Sequence, residues 1–277
     1  MSDFRLGGLE GEDRSPEGEA AGTPPIVLLH GLTATRRYVV MGSKSLERSG
    51  HRVVLYDARG HGASDPAPSP GAYGYEDLAA DLLRVLDDRG IDRAVLAGAS
   101  MGAHTALHLA LRMPERVAGL VLITPAHDPA TFESPERLAD WDRLSDGLRT
   151  GGVEGFVAVY DFSRVPEAWR ETVATVIRQR LGAHEHPDAV ADALHVTPRS
   201  APFAAIDDLA AIEAPTVVVA SRDEADPGHP FAVGAAYAET IPGARLVTED
   251  EGKSPLAWQG GQLSRVIAEL ARRAAGA

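Results

Sequence analysis

The residues best suited to chemistry lie in "GASMG", Gly98 to Gly102. A serine hydroxyl is a weak nucleophile until a base takes its proton and the backbone presents it clear of its neighbours. The spacing here supplies the second condition. Small residues two before and two after Ser100 leave room for a chain that ends a strand, turns sharply and enters a helix. Such a turn lifts the hydroxyl above the sheet edge, and the helix N-terminus favours negative charge developing beside it. A glycine-rich turn with a capping serine is the alternative reading. Two histidines follow on that helix, His104 and His108, one turn apart. Their spacing suits a metal, but no carboxylate pattern accompanies them, so they are read as packed or solvent-facing.

These residues need elements to hold them. "IVLLH" (26–30), "RVVLYD" (52–57), "AVLAGAS" (94–100) and "VAGLVLIT" (117–124) are short apolar runs of the kind buried on both faces of a parallel sheet. Between them, Leu78, Leu82, Val85 and Leu86 share a helical stripe that Gly90 ends. From about 128 to 202 the strand signal vanishes, and Leu138, Trp141, Leu144 and Leu148, then Trp169, Val173, Val176 and Ile177, repeat at helical spacing. "PTVVVAS" (215–221) and "ARLVT" (244–248) resume the sheet, and Leu263, Val266, Ile267 and Leu270 mark a last helix. The pattern predicts an α/β fold with a doubly wound, mostly parallel sheet flanked by helices and a helical insertion. The expected organisation is a flexible N-terminal segment (1–23) with at most one edge strand, a core of 24–127 and 203–277, and a helical lid at 128–202.

Composition narrows the function. A net charge of −13 over 277 residues argues against nucleic acid or an anionic membrane surface as partner. No apolar run reaches the ~20 residues of a membrane span. The chain has no cysteine, and its N-terminus lacks a secretion signal's basic start and apolar run, so a cytoplasmic location is expected. The sequence carries no signal of oligomeric state.

From about Pro24 onward the chain resembles the α/β-hydrolase family. "LLHGLT" is similar to its His-Gly oxyanion loop, "YDARGHGASD" (56–65) to its Asp-x-Arg-Gly-x-Gly-x-Ser stretch, and "GASMG" to its nucleophile elbow. "RMPERVAGLVLI" resembles the segment that follows the elbow. "PGARLV" and "GKSPLAW" fall where the last strand and the histidine loop belong. The resemblance implies that Ser100 is the nucleophile, that the backbone N–H groups of Leu32 and Met101 form the oxyanion hole, and that no metal or organic cofactor takes part. His30 and His61 belong to the loop motifs and are read as structural.

Family order places an acid and then a histidine after the serine. The loop "SRDEADPGHP" offers Asp226, which best matches the family's Asp-Pro pattern, with Asp223 as runner-up. Where the histidine belongs the text reads "EGKSP", so Lys253 stands in its place. A lysine activates a serine only when neutral, and neighbouring Glu249, Asp250 and Glu251 favour its charged form if they are close. Another imidazole can supply the base: His229, three positions after Asp226, or His127 beyond "GLVLIT", or His195 from the lid. The resemblance implies a hydrolase acting on a small ester, thioester or lactone through an acyl-serine intermediate, with an atypical base, either His229 or Lys253. The alternatives are a binding protein that keeps the fold, or a non-hydrolytic enzyme of that fold. A dehalogenase is disfavoured, because its nucleophile is an aspartate where Ser100 stands. Phe132, Trp141, Phe156, Tyr160 and Trp169 are candidate pocket liners, with lid-core packing as the plainer role for most of them.

Overall fold

Six of the apolar runs form parallel strands, in a computed structural model that describes residues 2–249 and 258–276. They are β3 (Ile26–Leu29), β4 (Val53–Tyr56), β5 (Ala94–Ala99), β6 (Val117–Ile123), β7 (Thr216–Val219) and β8 (Arg245–Val247). Successive side chains point to opposite faces, and from β3 to β7 both faces are covered, whereas β8 lies at the sheet edge with Leu246 exposed. Val27 and Leu29 pack into one apolar layer with α2 (Tyr75–Asp88), α3 (Met101–Arg112) and α7 (Phe231–Thr240). Ile26 and Leu28 pack into the other with α1 (Ser45–Arg48) and α8 (Gly260–Ala274). That two-sided burial is why β3 to β7 read as continuous apolar runs.

The N-terminal segment differs from expectation. Residues 2–14 form an antiparallel hairpin, β1 (Ser2–Leu6) and β2 (Leu9–Arg14), joined to the sheet edge through β2 and β4. Leu6 pairs with Leu9 across Gly7 and Gly8, which adopt φ of 54° and 91°. A two-residue hairpin turn with positive φ at both positions suits glycine. Phe4 and Leu9 are buried in the first apolar layer, and that burial outweighs the polar, glycine-rich composition of the segment. The eight strands run in the order β1-β2-β4-β3-β5-β6-β7-β8.

Between β6 and β7 lie α4 (Pro135–Val159), α5 (Arg170–Leu181) and α6 (Pro187–Val196). Helix α4 breaks at Gly152, whose φ of 60° and ψ of −151° are not helical. The chain doubles back there, and a Cβ on Gly155 would lie 2.2 Å from the Gly147 carbonyl oxygen. This insertion has its own apolar core of Leu148, Phe156, Leu181, Val190, Ala191 and Leu194, against which Trp141, Tyr160 and Leu32 pack. Among the described residues no helix is long and apolar enough to cross a membrane. Strands β4 and β5 flank β3 on opposite sides, so the chain winds in both directions from it. The loops leaving β3 and β5 therefore border the crevice where ligands of doubly wound sheets bind.

Candidate active site

Ser100 sits between β5 and α3 with φ of 50° and ψ of −112°, a strained conformation for a residue with a side chain. Two close approaches require the flanking glycines. A Cβ on Gly98 would come within 2.3 Å of the Gly102 backbone, and one on Gly102 within 2.1 Å of the Leu29 carbonyl oxygen. The turn is tied to the next strand where the Ser100 N–H donates to the Ile123 carbonyl at 2.9 Å. Ser100 itself is partly exposed. Because the contact of Gly102 is with backbone, which cannot swing aside, Gly102→Ala should cost about 3 kcal/mol or more. Urea denaturation of the variant checks this; a midpoint within error of the parent's would mean the elbow is not tightly packed.

The loop after β3 closes on the serine. A Cβ on Gly31 would be 3.6 Å from Ser100 Cβ. Leu32 packs against the cluster containing Met101 and Tyr75. Among the described residues neither the Leu32 nor the Met101 N–H donates to a protein acceptor. Three imidazoles hold this loop. His30 accepts from the Ala58 N–H through Nε2 at 2.9 Å, and its Nδ1 lies 2.9 Å from the Gly31 carbonyl. His61 Nε2 is 2.7 Å from the Leu32 carbonyl. His184, on the stretch between α5 and α6, accepts from the Gly62 N–H at 2.8 Å and reaches the Thr33 carbonyl at 3.2 Å. Their rings follow one another in a row, tilted and then edge-to-face, with centroids 5.2 and 5.5 Å apart. Burial holds His30 well below its ordinary range, lowers His61 and pushes His184 down to about 4. A neutral ring meets the contacts of His30 and of His184, in each of which one nitrogen accepts a backbone N–H and the other faces a carbonyl.

The loop leaving β7 brings the polar groups. His229 Nε2 is 2.9 Å from Ser100 Oγ, and its Nδ1 is 2.8 Å from both oxygens of Asp226. A neutral ring protonated at Nδ1 satisfies both contacts, donating to Asp226 and accepting from the serine hydroxyl. For Asp226, burial raises the carboxyl, but the charge and hydrogen bond of His229, with help from Arg180, hold it below the usual carboxylate range. For His229, burial lowers the imidazole, and the opposing pull of Asp226 leaves it above its ordinary value. The Asp226 side chain keeps 47% of its surface exposed, so solvent screens part of this pairing. Glu249 anchors the start of the loop: it accepts from Ser221 Oγ at 2.7 Å, from the Arg222 N–H at 2.5 Å and from Trp258 Nε1 at 2.8 Å.

The other candidates lie elsewhere. His127 is buried between Phe132 and Phe203, its Nε2 3.3 Å from the Phe203 carbonyl, and burial pushes it down to about 4. His195 pairs with Asp142 at 2.7 Å on the surface of α6. Asp223 caps the Ala225 N–H at 2.9 Å and shapes its own loop. Lys253 lies outside the described residues. His104, with metal-like spacing to His108, instead contacts Tyr75 Oη at 3.0 Å and accepts from the Ala126 and His127 N–H groups. His108 faces the Pro202 carbonyl. Of the aromatic candidates, Trp141, Phe156 and Tyr160 join the insertion's core, Phe132 packs on His127, and Trp169 is half-buried beside α5. His184 belongs to no motif, and as one of two histidines in "GAHEHP" it carries no periodic signal.

The chain is similar to known proteins in sequence and in fold. The family profile of the alpha/beta hydrolase fold matches residues 24–158. A 2-hydroxy-6-oxononadienedioate/2-hydroxy-6-oxononatrienedioate hydrolase 2 of Pseudomonas putida is 34% identical over 216 residues, 75% of this chain and 73% of its own. A thermophilic esterase from Thermogutta terrifontis, solved with malate bound, superposes with a TM-score of 0.76 at 27% identity, over 96% of this chain and 93% of its own. The enol-lactonase from Burkholderia xenovorans LB400 superposes with a TM-score of 0.68 at 25% identity, over 97% and 96%.

Proposed function

This chain belongs to the alpha/beta hydrolase fold family and is a hydrolase; on that premise we propose that it cleaves a small ester, thioester or lactone through an acyl-serine intermediate, with Ser100 as nucleophile, His229 as base and Asp226 as its acid partner. One observation carries the reading: an unbroken hydrogen-bonded line runs from Asp226 through His229 to Ser100 Oγ, with steps of 2.8 and 2.9 Å. His229 Nε2 takes the hydroxyl proton as Oγ bonds to the substrate carbonyl carbon. The Leu32 and Met101 N–H groups receive the oxygen that becomes negative, a contribution of ~3–4 kcal/mol per donor in comparable sites. His229 then returns the proton to the departing alcohol or thiol oxygen or sulfur, leaving acyl-Ser100. Water repeats the cycle and releases the acid. Asp226, ionised, fixes the ring's tautomer and stabilises the imidazolium that forms at each step.

The helices between β6 and β7 serve, in this reading, as a lid over the reacting groups. Arg164 Nη2 donates to the Pro227 carbonyl at 3.3 Å, which ties that insertion to the loop carrying Asp226 and His229. An esterase and an enol-lactonase among the solved relatives fit the proposed substrate class.

A fluorophosphonate probe tests the nucleophile. Intact-mass analysis should show one stoichiometric adduct, mapped by peptide digestion to the fragment holding Ser100. Modification of another residue, or no adduct after prolonged exposure at high reagent concentration, would end the acyl-serine reading.

A further inference from the structure

Arg180, near the end of α5, is a cation that the proposed proton relay leaves unused. Its Nε is buried and has no hydrogen-bond partner among the described residues, and it forms no ion pair there. A shortage of acids does not explain this, because the chain carries 40 acidic residues. Two positions earlier on the same helix, Arg178 forks onto Glu154 with contacts of 2.7 and 2.8 Å. A buried N–H of a guanidinium left without an acceptor is costly, so it needs an explanation.

Its surroundings supply one. The guanidinium lies over the Tyr38 ring, 5.7 Å from the centroid, on the segment that continues from the His30–Leu32 loop. On the other side its positive charge acts on Asp226, His229 and the Tyr160 phenol. Arg180 thus touches the segment after β3 and is near enough to the loop after β7 for its charge to be felt at Asp226 and His229. An aromatic face satisfies a cation partly and leaves the edge of the guanidinium free for an oxyanion.

We propose that Arg180 binds a carboxylate carried by the substrate, so that this hydrolase prefers carboxylate-bearing esters or thioesters to neutral ones. The inference rests on the acyl-serine reading of the same site. A planar guanidinium edge matches two carboxylate oxygens with parallel hydrogen bonds. A singly charged group suits the place better than a dianion, because ionised Asp226 is near.

Two substrate pairs test it: phenyl hydrogen glutarate against phenyl pentanoate, with the charge on the acyl side, and 4-acetoxybenzoate against phenyl acetate, with the charge on the leaving group. The readout is the ratio of kcat/KM for the anionic member to that for the neutral member. For at least one pair this ratio should exceed one in the wild type and fall at least ~10-fold in Arg180→Met, with partial recovery in Arg180→Lys. A ratio that stays within about twofold for both pairs in Arg180→Met overturns the proposal, even if the pH profile moves, since Arg180 would then act only on the relay or the fold. Should no ester be turned over, the acyl-serine reading fails and binding decides the matter. Calorimetric titration of the two anionic compounds into Ser100→Ala should give a dissociation constant for at least one of them that weakens ~10-fold or more in Ser100→Ala/Arg180→Met. Equal affinity in both proteins, or no measurable binding to either, overturns the proposal.

Discussion

Ser100→Ala should lower kcat for a short p-nitrophenyl ester by about 10⁵–10⁶-fold, the range found when a serine nucleophile is removed from a hydrogen-bonded relay. The loss would be chemical rather than structural. Alanine at this position meets the same strained backbone as serine, at φ of 50° and ψ of −112°, and the Ile123 carbonyl still receives its N–H. The urea midpoint should therefore stay close to that of the parent. Residual turnover of a reactive ester should persist above the rate in water, because positioning and the Leu32 and Met101 N–H groups act without the hydroxyl. A variant that keeps more than about a tenth of parental kcat would remove Ser100 from the mechanism.

The second large effect belongs to His229. His229→Ala should cost about 10³-fold or more in kcat, whereas Lys253→Met should retain most of the activity. The reverse outcome would transfer the base to the lysine. The pH profile gives an independent check with a defined sign. His229 must be neutral to accept the serine proton, and Asp226 raises its imidazole above the ordinary 6.5. Activity should therefore fall as pH drops through a midpoint above 6.5, and Asp226→Asn, which removes the pull, should move that midpoint down. Stability runs the other way. A group with a raised folded-state pKa stabilises fully below its unfolded value and loses that contribution as pH rises through the folded one. Asp226, held low, contributes above its unfolded value near 3.8 and loses its contribution as pH falls through the folded one. The pair thus supports the fold most in mildly acidic solution and the chemistry most above it. Urea midpoints of the parent and His229→Ala should differ more at mildly acidic than at mildly alkaline pH.

The parallel strands β3 to β7 were readable because burial on both faces leaves a continuous apolar run, and β8, at the sheet edge, falls within the shorter run "ARLVT". The N-terminal hairpin was also written in the chain, as "LGGL", a two-residue turn between alternating residues. Its glycine and glutamate content pointed instead to a loose segment. Composition averages over a stretch, while pairing depends on which side chains alternate, and Phe4 and Leu9 were enough to dock it.

By itself the sequence determined what is local: the glycines that let the backbone fold tightly around Ser100, the helix that starts there, and the placing of Asp226 and His229 three positions apart on one loop. Only the tertiary structure decided which imidazole meets the serine. His127, His195 and His229 all follow or overhang the same sheet edge in chain order, yet His229 alone of the three is within hydrogen-bond reach of Ser100 Oγ, across a separation of 129 residues. The same holds for His184 and Arg180, which reach the loop after β3 from the inserted helices. Periodicity and turn chemistry are properties of neighbours along the chain. A distance of about 3 Å between distant segments depends on how every intervening element packs, and no spacing rule encodes it.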